Sequence, residues 1–371
     1  LHGGAIEMCE RLSQLSFADK VFLTNSGTEA TEAALKIARQ FWAESGRPEK
    51  RKIVSLSPSY HGSTLLAASI SGKMRDRKNF DLITDTIHHL PVPLPYRRPE
   101  GMSLEEFCDE KVADLENKIL EIGPEKVACF IAEPVLASGG VIVPPPGYQK
   151  RTLEVCRKYG VIYISDEVVT GFGRLGHFFA SEPVFDIVPD IIICAKGLTS
   201  GYQPLGAMII SEKLFEKVSG PEARGVIFSN GFTYSGHPVA CAAALKNIEI
   251  IEREDICGHV RKVGPYFIEQ LKALAEMPIV GDVRGSHLMG AFECVTDKES
   301  KEPLPADIQV ADRIDRHCQA RGLILRPLGH VCILSPPLVI REEQIDAMIG
   351  IIRDSIEATI TELGEEGLWK G

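Results

Sequence analysis

Two patterns alternate along the first two thirds of this chain. Short β-branched runs bounded by Gly or Pro read as buried strands, and between them lie longer stretches with apolar residues at helical spacing. The strands are expected at Lys20–Leu23, Lys52–Leu56, Val127–Ile131, 161–165, Ile191–Ile193 and Gly206–Ile210. The helices are expected at 5–17, with Ile6, Cys9, Leu12 and Leu15 on its apolar face, at Thr28–Ala43, 104–122 and 147–159, and after Pro238. Runs such as VIYI (161–164) and III (191–193) lack the in–out alternation of a half-exposed strand, which marks a parallel sheet covered on both faces. From about residue 254 the order changes. Helix 255–276, strands near 279–295, helix 305–320, two short strands and helix 341–361 predict a compact α+β unit, so two domains are expected, 1–253 and 254–371. The Pro-rich piece Leu90–Pro99 reads as a loop, and 73–125 offers no chemistry.

This alternation places particular side chains. In an open α/β sheet, ligands bind beyond the carboxyl ends of the strands. Asp166 ends one strand in VIYISDEVVTGFGR, and Lys196 follows another in PDIIICAKGLTSGY. A carboxylate and an amine sharing one crevice suit a carbonyl compound held as a Schiff base, with the acid facing a heterocyclic nitrogen. A strand-end ion pair at the surface is the plain alternative. TNSGTEA (24–30), between a strand and a helix start, is either an ordinary N-cap or an anion site built from free N–H groups. SYHGS (59–63) puts an aromatic after a strand end, where it is a core Tyr or lies flat on a planar ligand. Glu133 closes the run Val127–Ala132.

DEVVTGFGR (166–174) and AKGLTSGY (195–202) resemble the signature of class III aminotransferases. NSGTEA, YHG, IAEPV and NGFTYSGHP fit that family in the same order, so the resemblance spans nearly the whole chain. It implies a fold type I α/β architecture, with a mostly parallel large-domain sheet flanked by helices and a C-terminal α+β small domain. It implies pyridoxal 5′-phosphate (PLP) as cofactor, carried by Lys196, with Asp166 at the ring nitrogen. Ser26, Gly27 and Thr28 would hold the phosphate. Tyr60, with His61 beside it, and Val168 would sandwich the ring, and Glu133 would help to position residues around it. Phe232 and Thr233 would reach the phosphate of the other subunit in a homodimer with shared sites. Family members carry a further N-terminal segment over the active site. The chain begins at Leu1 rather than Met, so that segment is expected to be missing here.

LILRPLGHVCILSPPLV (323–339) bears on the substrate. In ornithine- and 4-aminobutyrate-type members an Arg shortly before the PP turn grips a carboxylate, and Ile333 stands at that position here. Arg326 lies upstream, as in amine:pyruvate and ω-amino acid:pyruvate transaminases, where it binds the keto-acid carboxylate. A surface salt bridge is the plain reading of Arg326. The resemblance implies ping-pong transamination of an amine or ω-amino acid with a keto acid, pyruvate by this pattern. A racemase, aminomutase or decarboxylase would share the Asp, the Lys and the phosphate turn. A non-catalytic regulatory module is a third reading, without a basic domain to pair with it.

Composition narrows the rest. The 371 residues are 44% hydrophobic and 25% charged, with a formal net charge of -10 and no long basic cluster, which argues against nucleic acid. No run approaches a membrane span of ~20 apolar residues. The ten cysteines have no CxxC pair, and no cluster has metal spacing, so reduced thiols, no metal and a cytoplasmic location are expected.

Overall fold

The computed structural model describes residues 2–18, 20–73, 77–220 and 225–369. The chain forms two compact units. One comprises Leu1–Gly139, Pro144–Gly173 and His177–Asp255; the other comprises Gly140–Val143, Arg174–Gly176 and Ile256–Gly371. The sequence pattern expects one cut near residue 253. The structure adds two short excursions of the earlier chain into the second unit. Arginines tie these excursions down within that unit. Arg284 Nε donates to Gly140 O at 2.8 Å, Arg261 Nη1 donates to Gly176 O, and Arg174 Nη1 donates to Leu288 O and Pro336 O.

The first unit is built on seven strands: β1 (Lys20–Thr24), β2 (Lys52–Ser57), β3 (Ile87–Pro91), β4 (Val127–Ala132), β5 (Ile162–Asp166), β6 (Ile191–Cys194) and β7 (Gly206–Ile210). Their order is β1-β7-β6-β5-β4-β2-β3. The pairs β2–β3, β2–β4, β4–β5 and β5–β6 are parallel, and β7 runs antiparallel to both of its neighbours. Every residue of β4, β5, β6 and β7 is buried, as near-continuous apolar strands require when helices cover both faces. Helix Gly27–Glu44 turns Ala30, Ala33, Ala34, Ile37, Ala38 and Phe41 inward against β6 and β7. Its alanines allow a close approach, and each fully buried Ile or Phe of this core contributes ~1.5–3 kcal/mol. Trp42 Nε1 donates to Ala128 O at 2.9 Å and joins the helix end to β4.

Three local features depart from, or add to, the pattern read along the chain. Strand β3 covers Ile87–Pro91, partly inside the stretch expected as loop. It is an edge strand, and its terminal proline, opposite Ser57, is tolerated there. His88 and His89 interrupt its apolar run and hide it from pattern reading. The loop before β6 contains the short helix Ser181–Phe185. The first helix, Gly3–Gln14, buries Ala5, Met8 and Leu12 rather than the stripe through Ile6, and Ile6 is 48% exposed. The helix packs on helix Pro238–Arg253 and on β1, which selects the Ala5–Met8–Leu12 stripe.

The second unit is an antiparallel sheet of β8 (Val280–Ser286), β9 (Met289–Asp297), β10 (Glu302–Pro303), β11 (Arg326–Leu328) and β12 (Val331–Leu334). The path is β10-β9-β12-β11, with β8 also on β9. Helices Ile256–Lys272, Val310–Gln319 and Glu342–Glu365 pack on one another and on these strands. The fold is the expected α/β class, mostly parallel, with an α+β unit after it.

Candidate functional site

Five parallel strands of the first unit deliver chemistry at the same edge. The chain leaves β1 into Ser26–Thr28, β2 into Tyr60 and His61, β4 into Glu133, β5 at Asp166 and β6 just before Lys196. Parallel strands end on one side of the sheet, so side chains far apart in sequence converge there.

Hydrogen bonds join most of these residues. His61 Nδ1 lies 2.7 Å from Asp166 Oδ2, and Asp166 Oδ1 accepts from Val168 N–H at 3.1 Å. Both side chains are buried. Glu133, also buried, accepts from Tyr60 N–H at 3.0 Å and from Ala137 N–H at 2.9 Å, so it clamps the backbone that carries Tyr60. Tyr60 OH and Ser63 Oγ are 2.8 Å apart, Ser63 N–H donates to Thr28 Oγ1 at 3.3 Å, and Lys73 Nζ lies 5.1 Å from the Tyr60 ring centre. Burial raises Glu133 above the usual carboxylate range, with Asp166 adding to the rise and His61 and the two N–H groups opposing it. Burial alone would lower the His61 imidazole, but the hydrogen bond and charge of Asp166, with Glu133, hold it above its ordinary value.

The Ser26–Thr28 turn is an N-cap. Ser26 Oγ accepts from Glu29 N–H at 3.2 Å, and Ser26 O receives the first helical bond, from Ala30 N–H, at 3.1 Å. The Gly27 and Thr28 N–H groups precede that bond and stand at the positive end of the helix dipole. Glycine at 27 suits a tight approach: a Cβ there would sit 3.0 Å from Val168 Cγ2 and 3.5 Å from Ala195 Cβ. That close approach brings the phosphate-type turn, Val168 and the residue before Lys196 into one cluster.

Lys196 is exposed and has φ +41°, a left-handed conformation that costs a non-glycine residue ~1–3 kcal/mol. Asn247, on helix Pro238–Arg253, secures this turn. Its Nδ2 donates to Gly197 O at 2.8 Å and to Leu198 O at 3.1 Å, and its Oδ1 accepts from Ser200 Oγ at 2.9 Å. Glu167 is fully buried and holds the loop after β5 with four bonds, from Thr170 Oγ1, Ala180 N–H, Ser181 N–H and Ser181 Oγ. Sequence reasoning missed both. The only signals are a polar residue in an apolar helix pattern and a second acid beside Asp166.

Two expected residues of the same unit, Phe232 and Thr233, lie outside this hydrogen-bond network among the described residues. Phe232 packs on Phe22, with ring centres 6.2 Å apart. Thr233 is exposed, and among the described residues no hydrogen bond joins it to the Ser26–Thr28 turn. Arg326 belongs to the second unit, exposed on β11, with the buried Ile333 as its cross-strand partner. Directly opposed residues of an antiparallel pair share a face of the sheet. Among the described residues no group of three or more His, Cys, Asp or Glu is placed to hold a metal ion.

The residues at the strand ends fit PLP. A buried, oriented carboxylate suits a ring N–H. Free N–H groups at a helix start suit a phosphate. An amine held on a strained turn suits an aldehyde.

Comparison with known proteins shows the family. The Aminotransferase class-III family profile matches residues 2–356. A probable gamma-aminobutyrate transaminase 2, mitochondrial, from Oryza sativa subsp. indica is 40% identical over 347 residues, 93% of this chain and 70% of that protein. Among solved structures, an omega transaminase from Pseudomonas jessenii in complex with PMP superposes with a TM-score of 0.94 at 38% identity, covering 98% of this chain and 81% of the other. A PMP-bound aminotransferase from Vibrio fluvialis gives 0.93 at 39% identity, covering 98% and 80%.

Proposed function

Because this chain belongs to the class III aminotransferases, which transfer amino groups with PLP, we propose that its donor is an amine or ω-amino acid and its acceptor a keto acid, pyruvate. The observation that carries the site assignment is the convergence of a buried, oriented Asp166 and a strained Lys196 at the carboxyl ends of adjacent parallel strands, where Asp166 pairs with Ile193.

When bound, the cofactor supplies an electron sink that lets a proton leave the carbon bearing the amine. The chain's own groups do the rest. Lys196 Nζ anchors the cofactor aldehyde. Freed by the donor amine, it would be the base that moves a proton from the donor carbon to the former aldehyde carbon of the cofactor, and in the acceptor half-reaction it would move a proton from that carbon to the acceptor carbon. Asp166 holds the proton on the ring nitrogen. Ser26, Gly27 and Thr28 bind the phosphate, Tyr60 and Val168 cover the ring faces, and Glu133 keeps the Tyr60 backbone in place. Arg326 binds the acceptor carboxylate, a role supported by the apolar Ile333 across the strand from it.

Phe232 and Thr233 complete the phosphate site of a second subunit in a homodimer. Exposed apolar residues on the same unit, Tyr202 at 82%, Ile227 at 78% and Tyr234 at 68%, support a covered face there. The cysteines of the chain are free thiols, mostly buried, which supports a reducing compartment, and we place the enzyme in the cytoplasm. No helix among the described residues is long and apolar enough to cross a membrane.

Two measurements test the reading. Borohydride reduction and peptide mapping should place the pyridoxyl group on Lys196, and an adduct on another lysine would overturn the assignment. A donor panel run with pyruvate and with 2-oxoglutarate should give ketone or aldehyde only when a keto acid is added, faster with pyruvate. A clear preference for 2-oxoglutarate would refute the acceptor proposed.

A further inference from the structure

The His61 side chain has no route to another ligand. It is buried; Nδ1 meets Asp166 Oδ2 at 2.7 Å, and Nε2 has no hydrogen-bond partner among the described residues. Both of its backbone groups are pinned. The N–H donates to Ser71 Oγ at 2.8 Å, Ser71 Oγ donates in turn to Ala67 O at 2.8 Å, and the carbonyl accepts from Thr31 Oγ1 at 2.9 Å. Asp166 is fixed as well, by His61 on Oδ2 and by Val168 N–H on Oδ1.

The distance settles the tautomer. An ionised carboxylate only accepts hydrogen bonds. A bare Nδ1 lone pair 2.7 Å from it would repel, so Nδ1 carries a proton. Nε2 is then either a lone pair or a second N–H.

We infer that His61 is a positioning residue that acts through Asp166: its Nδ1–H fixes the carboxylate in the orientation from which Asp166 would meet the cofactor ring nitrogen, and the charge at Nε2 sets how firmly Asp166 keeps that nitrogen protonated. The inference rests on the reading of Asp166 as the ring-nitrogen partner. Because Nδ1 is committed to Asp166, this role works through that carboxylate and not through a contact of Nδ1 with the cofactor.

The charged and titratable groups facing His61 are Asp166 at the end of β5, Glu133 beyond β4 and His89 on β3. The two carboxylates favour a proton on Nε2. Burial, and the lack of a partner for the resulting N–H, oppose it. While His61 is cationic, part of the Asp166 charge is already balanced, and the ring nitrogen has a weaker claim on it. As pH rises through the His61 titration, the hold of Asp166 on the ring proton tightens.

The test compares PLP with its deaza analogue, in which a C–H replaces the ring nitrogen. Dissociation of each is measured from the wild type, His61→Leu, His61→Asn and Asp166→Asn. His61→Leu should weaken PLP on the order of tenfold, as loss of one hydrogen bond to a charged group does, and leave the analogue nearly unchanged. His61→Asn, with an amide N–H near the Nδ1 position, should recover most of the loss. Asp166→Asn should show the same selectivity. Equal weakening of both cofactors in His61→Leu, beside a selective Asp166→Asn, overturns the role of His61 and keeps that of Asp166. A non-selective Asp166→Asn overturns the reading beneath it. Nitrogen NMR of the wild type without cofactor gives an answer that needs no variant: His61 should be protonated at Nδ1, and an Nε2–H tautomer would refute the inference.

Discussion

Arg326 and His61 are the residues whose charge has the most measurable consequence. Arg326 is exposed on β11, so its grip on a carboxylate is solvated and falls at the low end for charge-assisted pairs. Arg326→Ala should slow the pyruvate half-reaction by on the order of tenfold. The half-reaction of a carboxylate-free amine should change little. Single-turnover measurements separate the two, and equal losses would remove Arg326 from the site. For His61 the sign follows from linkage. An imidazole held above its ordinary value of 6.5 stabilises the fold fully below that value, and the contribution fades as pH rises through the folded-state pKa. The stability cost of His61→Leu should therefore be greatest at about pH 5–6 and shrink toward alkaline pH. Denaturant midpoints across that range check it, and a cost that grows with pH would contradict the assigned shift. At this scale the sequence makes Asp166 and Lys196 legible, because strand-end residues stand beside turn residues in a recognisable order. The partner of Asp166 is not legible: His61 is 105 positions away, and only the parallel order of β2, β4 and β5 brings the two together.

Among the elements, the turn after β6 depends on a helix that begins more than forty residues later. Asn247 supplies two N–H bonds to carbonyls in that turn, next to a lysine in a left-handed conformation. Asn247→Ala should cost ~0.5–1.5 kcal/mol, the usual net worth of a hydrogen bond, since Asn247 is half-buried and Gly197 O keeps a bond from Ser200 N–H. Asn247→Asp should be worse, since a carboxylate would face two carbonyl oxygens. Melting temperature and retained PLP absorbance should both fall in the order wild type, Ala, Asp. Retention of cofactor unchanged in both variants would show that the turn holds itself. Element boundaries follow the periodicity closely where a pattern is pure: helix Leu104–Ile122 and strand Gly206–Ile210 lie where the sequence puts them. The face of helix Gly3–Gln14 does not follow, because two apolar stripes compete and the packing partner chooses between them. Strand β3 is missed because two histidines break its apolar run.

Across the whole molecule, the proposed role of Thr233 requires a second chain. A C2 dimer should therefore form, with each site completed by its neighbour. Sizing at micromolar concentration combined with activity should show that dissociation abolishes turnover. Thr233→Ala should weaken PLP binding, and a mixed dimer with Lys196→Ala in one chain and Thr233→Ala in the other should keep one intact site. A fully active monomer would refute the shared site. The sequence by itself determined the α/β class, the register of apolar runs, the presence of a second α+β unit and the motif residues of the strand ends. Those are local properties, set by periodicity and turn chemistry. Only the tertiary structure decided that His61 is committed to Asp166, that Glu133 and Glu167 are spent on backbone N–H and hydroxyl groups, that Asn247 braces the lysine turn, and that Arg326 lies across from Ile333. Each of these is a contact between segments far apart in the chain. Such contacts depend on strand order and helix docking, which no local pattern of hydrophobic and polar residues encodes.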